Sequence, residues 1–164
     1  MRTAVLRHVA GFEIEECAAP RPGDGGVLVE MWAVGTCGSD VAAFRGRHPL
    51  RAPPVVLGHQ GAGRVVEAGT DTALPAGARV AVLPLVSCRR CGRREQGPSH
   101  LCAHRRSPGA GLPGILSRYV AVPQRALVPL ADGLAYGPVD LFDRAAGRTF
   151  ATADPTDHPR EPGT

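Results

Sequence analysis

The sequence lacks any apolar run long enough to cross a membrane, since no window approaches the ~18 consecutive apolar residues that a spanning helix needs. Its first residues, Met1–His8, contain no apolar core of the length that a signal peptide requires. These two absences argue against a membrane or an exported protein. We therefore predict a cytoplasmic protein, in which the five cysteines are thiols or metal ligands rather than disulfides.

Lysine is missing as well: all 19 basic residues are arginine, and the net charge is +4 with a pI of about 9.1. A basic protein can bind nucleic acid. The arginines are spread along the chain, however, and no motif of a nucleic-acid-binding module appears. A GC-rich coding sequence, which favours Arg, Ala, Gly and Pro, explains this composition, and we predict no nucleic-acid partner.

A third absence concerns dinucleotide binding. No G-x-G-x-x-G pattern follows a predicted strand, and no βαβ unit is present to cradle a pyrophosphate. Gly109-Ala110-Gly111 is a lone glycine pair in a predicted loop. The sequence therefore predicts no Rossmann domain within these residues.

What the sequence does contain is typical of one soluble domain: 164 residues, 43% hydrophobic and 21% charged. Short alternating or β-branched runs are separated by Gly/Pro turns, at 3–9, 12–16, 27–34, 64–69, 78–85 and 116–123. This pattern predicts a mainly β fold, a barrel or sandwich. Ser39 and Asp40 predict the cap of a short helix over 41–45, which Gly46 ends.

The most informative stretches are VGTCGSD at 34–40 and LGHQGAG at 57–63. Each places a possible metal ligand, Cys37 or His59, on a glycine-flanked turn after a β-type run. Sulfur and imidazole donors suit zinc. A free cysteine is also among the most buried residue types, so Cys37 taken alone favours a packing role over a ligand role, and His59 taken alone is no stronger a candidate.

The order G-x-C-G-S-D followed by G-H-x-x-x-G resembles the catalytic zinc segment of the medium-chain dehydrogenases, the zinc-dependent alcohol, polyol and threonine dehydrogenases. The resemblance extends from Thr3 to Leu134. It implies a GroES-like barrel with short helices over residues 1–135. It also implies a catalytic domain for oxidation of a small alcohol to an aldehyde or ketone with NAD or NADP.

The resemblance also implies residue roles. Cys37 and His59 match two catalytic zinc ligands, Ser39 matches the hydroxyl that passes the substrate proton, and Asp40 matches the carboxylate that orients the ligand histidine. Such a zinc polarises an alcohol or carbonyl oxygen. A carboxylate hydrogen-bonded to a ligand histidine fixes its tautomer and strengthens its donation.

Three departures from the family pattern bear on function. The glutamate of the Gly-His-Glu signature is replaced by Gln60, and the histidine that often ends the proton relay is replaced by Ala42. The third zinc ligand, a cysteine or glutamate in the family, matches no residue here.

A second cysteine group resembles the structural zinc lobe of the same family. It comprises Cys88, Cys91 and Cys102, but the remaining ligand position is Arg94, whose guanidinium keeps its proton and cannot bind zinc. Several alternatives remain open. His100, His104 or water completes the zinc site, or the metal is lost. The cysteines could instead serve as a redox pair or as part of a nucleic-acid-binding zinc ribbon.

Residues 136–164 are rich in Gly, Pro, Asp and Thr and predict a disordered or degenerate tail. We expect a truncated catalytic domain, which uses NAD(P) only if a partner supplies the cofactor domain, for example as a separate Rossmann-domain chain. Uncovered barrel edges also predict self-association. The alternative is a non-catalytic GroES-like module, either a zinc-binding scaffold or a remnant.

Overall fold

The computed structural model describes residues 1–88, 91 and 101–131, and the backbone of 142–143 and 148–149. The predicted mainly β architecture is confirmed. In chain order the strands of this part are β1 (Arg2–His8), β2 (Gly11–Glu16), β3 (Gly26–Gly35), β4 (Val55–Val56), β5 (Gln60–Ala68), β6 (Arg79–Val82), β7 (Ser107–Pro108), β8 (Gly111–Leu112), β9 (Tyr119–Pro123), β10 (Leu127–Pro129), β11 (Phe142–Asp143) and β12 (Arg148–Thr149).

The strands form two main antiparallel sheets. Five strands pair in the order β10-β6-β5-β3-β9, and three pair in the order β2-β1-β4. A β-bridge between Thr3 and Ser117 and a backbone hydrogen bond from Ala4 to Leu116 connect β1 to the segment that precedes β9. The two sheets are therefore joined along this side, as expected for a barrel-like domain.

Two apolar clusters lie inside. The larger one is built from alternate residues of β3, β6 and β9, together with single residues of β5 and β10 and three residues of the connecting segments. Its members are Val27, Val29, Val65, Val80, Val82, Val86, Ile115, Val120, Val122, Ala126 and Leu127. The smaller cluster comprises Leu6, Ala43 and Leu57 and involves the only α-helix of the described residues, α1 (Gly38–Phe44). A short 3-10 helix, Gln124–Ala126, lies between β9 and β10. Alternating apolar positions on paired strands bury one face, which is the pattern that the sequence predicted.

Strand β5 is longer than predicted, because it begins at Gln60 rather than near Arg64. Gly61 and Gly63 lie inside the strand, where a glycine run suggested a turn. A Cβ on Gly63 would lie 2.1 Å from the Glu30 carbonyl oxygen of β3. Glycine therefore permits a close backbone approach between β3 and β5 at this point.

Helix α1 also begins earlier than predicted. Its N-cap is Cys37 rather than Ser39 or Asp40, and Asp40 occupies the third helical position, where its carboxylate accepts a hydrogen bond from the Cys37 N–H at 3.1 Å. This is the reciprocal half of a capping box, with aspartate in the place of glutamate. Gly46, with a φ of +69°, follows the C-cap residue as predicted.

Among the described residues, no helix is long and apolar enough to span a membrane. The short antiparallel pair β11 and β12 is formed within the predicted tail. The rest of 136–164 lies outside the described residues, so the predicted disorder of this tail stays a prediction.

Candidate metal centre

The register of β3 and β5 brings the two predicted zinc ligands together. Gly35, the last residue of β3, pairs with Gln60, the first residue of β5. Cys37 lies two residues beyond the end of β3, and His59 lies one residue before the start of β5. Both side chains therefore emerge at the same end of the sheet, although 21 residues separate them in the chain.

The distance between the two donor atoms fits one shared ion. Cys37 Sγ and His59 Nε2 are 3.1 Å apart. Zinc bonds of about 2.3 Å to sulfur and about 2.0–2.1 Å to nitrogen place two ligands of a tetrahedral ion about 3.5 Å apart. Cys37 is half-buried and His59 is only 7% exposed, so the ligand pair is largely shielded from solvent.

Gly58 sets the direction of the histidine. Its φ is +87°, a value that L side chains rarely adopt, and a Cβ there would lie 3.1 Å from the Leu116 backbone nitrogen. Its N–H donates to Asp40 Oδ1 at 3.2 Å. The glycine thus lets the chain turn so that His59 faces Cys37 while the preceding amide contacts Asp40.

Asp40 is 4% exposed and supports both ligands. It accepts hydrogen bonds from the backbone of Cys37 and Gly58, and its Oδ2 lies 3.4 Å from His59 Nδ1. That last distance is long, and buried His59 Nδ1 makes no well-aligned hydrogen bond in this structure. Burial raises the pKa of Asp40, but contacts with His59 and with the two amides outweigh it and hold the pKa below its ordinary value of 3.8.

Ser39 lies between the sulfur and a buried arginine. Its Oγ is 2.9 Å from Cys37 Sγ and accepts a hydrogen bond from Arg51 Nη1 at 2.8 Å. Sequence reasoning missed Arg51, which is 5% exposed. Nothing in its local sequence separates it from the other 18 arginines, because its contacts are made by residues 12 and 56 positions away.

The positions that depart from the family pattern are also defined. Gln60 replaces the signature glutamate at the start of β5, and its Oε1 is buried without a hydrogen-bond partner. Ala42 is half-buried on α1. Among the described residues, Asp40 is the only further Asp, Glu, Cys or His whose donor atom groups with those of Cys37 and His59.

The second predicted group also assembles. The sulfur of Cys102 lies 3.4 Å from that of Cys88 and 3.7 Å from that of Cys91. Thiolates around one tetrahedral zinc are about 3.8 Å apart, so these three sulfurs fit one ion. Hydrogen bonds with Cys88 and then with Cys102 raise the pKa of the Cys91 thiol.

No fourth ligand joins the three sulfurs within the described part of the chain. His104 is exposed and is not part of the group. Arg94 and His100 lie outside the described residues, so their predicted relation to this site stays a prediction.

The sequence profile of the alcohol dehydrogenase GroES-like domain matches residues 23–132 of this chain. The chain belongs to this family. The match covers the five-stranded sheet, α1 and both cysteine groups, so the domain described above is the one the resemblance implied.

Relatives agree with this assignment. The chain is 37% identical over 116 residues to L-galactonate-5-dehydrogenase of Escherichia coli (strain K12), covering 70% of this chain and 34% of that protein. It is 34% identical over 140 residues to sorbitol dehydrogenase of Halalkalibacterium halodurans, covering 84% and 38%. The structure of a zinc-binding dehydrogenase from Sinorhizobium meliloti 1021, bound to NADP, superposes with a TM-score of 0.74 at 34% identity, covering 81% and 39%.

The chain therefore spans between 34% and 39% of the length of these three relatives. Its family and its fold follow from the comparison. The substrates and cofactors of the longer proteins are properties of those proteins.

Proposed function

We propose that this chain is the zinc-binding catalytic domain of an alcohol dehydrogenase-like oxidoreductase, which converts a small alcohol to an aldehyde or ketone with NAD or NADP. The observation that supports it most is the approach of Cys37 Sγ and His59 Nε2 to 3.1 Å, with the Ser39 hydroxyl 2.9 Å from the same sulfur. A sulfur and an imidazole that can share one zinc, with a hydroxyl beside them, are among the groups that this reaction requires.

In this proposal each residue has a defined task. Cys37 and His59 hold zinc, which when bound polarises the substrate oxygen. Ser39 Oγ relays the proton: it accepts the proton of the substrate hydroxyl and gives its own hydroxyl proton to solvent. Asp40 orients His59 through Nδ1 and holds the backbone of Cys37 in place. Asp40 is less suited to be a zinc ligand itself, because its oxygens already accept the amides of Cys37 and Gly58.

We further propose that Cys88, Cys91 and Cys102 bind a second, structural zinc. The three sulfurs lie at the spacing of zinc ligands.

We propose in addition that a Rossmann domain holds the nicotinamide cofactor. This domain either packs on the present one or belongs to a separate chain. Such a nicotinamide would supply the redox chemistry, as the acceptor of the hydride from the substrate carbon.

A second candidate function is a non-catalytic GroES-like module. The observation that favours it is the state of Gln60, which leaves a buried carbonyl oxygen unpaired where the family has a charged carboxylate. Catalytic zinc sites have three protein ligands. At this site the described residues offer only two available ligands, Cys37 and His59, because the oxygens of Asp40 already accept two backbone amides.

Zinc analysis of purified protein and three cysteine variants tests the proposal. The parent is expected to hold two zinc ions, and Cys37→Ser and Cys88→Ser each to retain one. Cys17→Ser is the matched control, since Cys17 is an exposed thiol outside both groups. A Cys37→Ser protein with the same zinc content as the parent would contradict the catalytic assignment.

The redox part has its own assay. Supplying NAD or NADP together with a Rossmann-domain chain and a small alcohol should produce the absorbance of the reduced nicotinamide with the parent and none with Cys37→Ser.

Size-exclusion chromatography of the chain alone tests the predicted self-association. Zinc at Cys37 without turnover under any of these conditions would favour the non-catalytic module.

A further inference from the structure

Arg51 is a buried cation next to the proposed catalytic hydroxyl. Its Nη1 donates to Ser39 Oγ at 2.8 Å, and its Nη2 donates to Ser107 Oγ at 3.2 Å and to the Pro108 carbonyl at 3.4 Å. The guanidinium thus links the first turn of α1 to β7. The rigid fork of an arginine can hold two separate acceptors in a fixed relation, which the single ammonium of lysine cannot do.

The buried ion pair with Asp40 does not account for the whole arrangement. Arg51 Nη1 lies 3.5 Å from Asp40 Oδ1, well beyond the roughly 2.7–2.9 Å of a charge-assisted hydrogen bond. The shorter contact is to Ser39. The buried Nε has no partner, and such a donor carries a desolvation cost that an apolar side chain of similar volume would avoid.

The hydrogen-bond inventory of serine then defines what Arg51 does. A hydroxyl has one donor hydrogen and two acceptor lone pairs. The Nη1–H of Arg51 occupies one lone pair. When Cys37 is the thiolate that binds a metal, it carries no hydrogen, so the Ser39 hydroxyl is the donor to Cys37 Sγ, 2.9 Å away. The second lone pair of Ser39 then remains to accept a hydrogen bond.

We propose that Arg51 is a positioning residue for Ser39: it holds the hydroxyl with one lone pair facing the substrate position beside Cys37. This inference rests on the proposed function of the same site. In the reaction, Ser39 must accept the substrate proton, so its rotamer has to be held. Ala42 offers no side-chain hydrogen bond for this purpose, and Arg51 reaches Ser39 from the neighbouring loop instead.

The test uses cobalt(II) in place of zinc, read by the sulfur-to-cobalt absorption band of the Cys37 site, with the spectrum of Cys37→Ser subtracted to remove the other cysteine group. Ser39→Ala and Arg51→Met should shift this band in the same direction and weaken cobalt binding about tenfold, at the lower end for residues that support metal ligands. The double variant should match Ser39→Ala alone. Additive effects, or an Arg51→Met band at the parent position, would overturn the proposal.

Ser107→Ala is a second test of the positioning role, because it disturbs the Arg51 side chain without removing its charge. Ser107 contacts Nη2 on the far side of the guanidinium, so a shift of the Cys37 band in this variant indicates transmission through Arg51. We expect a smaller shift in the same direction, and no further shift from Ser107→Ala when Arg51→Lys is already present. Arg118→Met is the matched control, because this exposed arginine pairs with Glu30, and it should leave the band unchanged.

Failure of the proposed function is recognised separately. If no cobalt band depends on Cys37, the metal assignment is wrong, and the Arg51 contact is then tested in metal-free protein by the rate of Cys37 alkylation with iodoacetamide, measured by peptide mass spectrometry. Ser39→Ala and Arg51→Met should change that rate by the same factor, with no further change in the double variant. Independent factors would overturn the positioning role.

Discussion

The two cysteine-containing groups of this domain reach similar donor spacings by different means. Cys37 and His59 stand at the ends of paired strands and are surrounded by a polar set, Asp40 and Arg51, that is itself buried. Cys88, Cys91 and Cys102 contact one another through their sulfurs, and within the described residues the bridge between Val86 and Arg106 is the regular structure that flanks them. The fold therefore holds the first group in place without a metal, whereas the arrangement of the second group depends on the metal ion that its three sulfurs would share.

The largest expected effect tests whether the core holds the first group in place. Leu57, 1% exposed, belongs to the small cluster under α1 and precedes Gly58 and His59. Leu57→Ala should lower the free energy of unfolding by about 2–5 kcal/mol and weaken zinc binding at Cys37. Urea denaturation and zinc titration measure the two effects. Leu50→Ala is the control: Leu50 is 74% exposed, and the change should stay within about 0.5 kcal/mol.

The next effect concerns the second group. If zinc at Cys88, Cys91 and Cys102 is present at 100 times its dissociation constant, it contributes about 2.7 kcal/mol, or a factor of about 100. A chelator should therefore raise the hydrogen-exchange rate of the Val86 and Arg106 amides, which bond to each other's carbonyls, by about that factor. The β3 and β5 amides should change much less. An equal change in both regions would remove the distinction between a preorganised and an assembled group.

Asp40→Asn tests how much the orientation of His59 by Asp40 contributes to zinc binding, because both ligands, Cys37 and His59, stay in place. The amide keeps the shape of the carboxylate but loses its charge and one acceptor, so His59 is less well oriented. Zinc affinity at Cys37 should fall by about 10–100-fold, measured by competition with a chromophoric chelator, while the other group is unaffected. The exposed Asp24, which bonds to Thr70, provides the matched control as Asp24→Asn. Unchanged affinity in Asp40→Asn would show that the amides of Cys37 and Gly58 suffice to hold this segment.

The smallest effect is an acid dependence of stability in metal-free protein. The pKa of Asp40 is lower in the folded state than its ordinary value of 3.8. Its ionised form therefore contributes stability above pH 3.8 that is lost as the pH falls through the lowered folded pKa. Chemical denaturation at a series of acidic pH values should show this loss in the parent and a flatter profile in Asp40→Asn. Parallel profiles would place the acid sensitivity in other carboxylates.

Local sequence patterns were sufficient for part of this picture. Alternating apolar residues predicted the main strands, and the two glycine-flanked motifs predicted Cys37 and His59 as partners, which the structure brings within 3.1 Å. The start of α1 was wrong by three residues, because the cap depends on an Asp40 contact to a backbone amide that only the folded turn creates. The role of each site residue and the domain boundary at 135 stay predictions.

From its residues alone, this chain was assignable to a β fold, a dehydrogenase-like motif pair and a cysteine cluster, since alternation, glycine placement and donor type are all local properties. Only the folded structure showed that Arg51 and Ser107 belong to the neighbourhood of Ser39, and that Asp40, already expected beside His59, also accepts two backbone amides. Apart from the Asp40 contact with the Cys37 amide, which spans three positions, those contacts join residues 12 to 56 positions apart. Such pairings are set by strand register and by burial of charge, which no short stretch of sequence encodes.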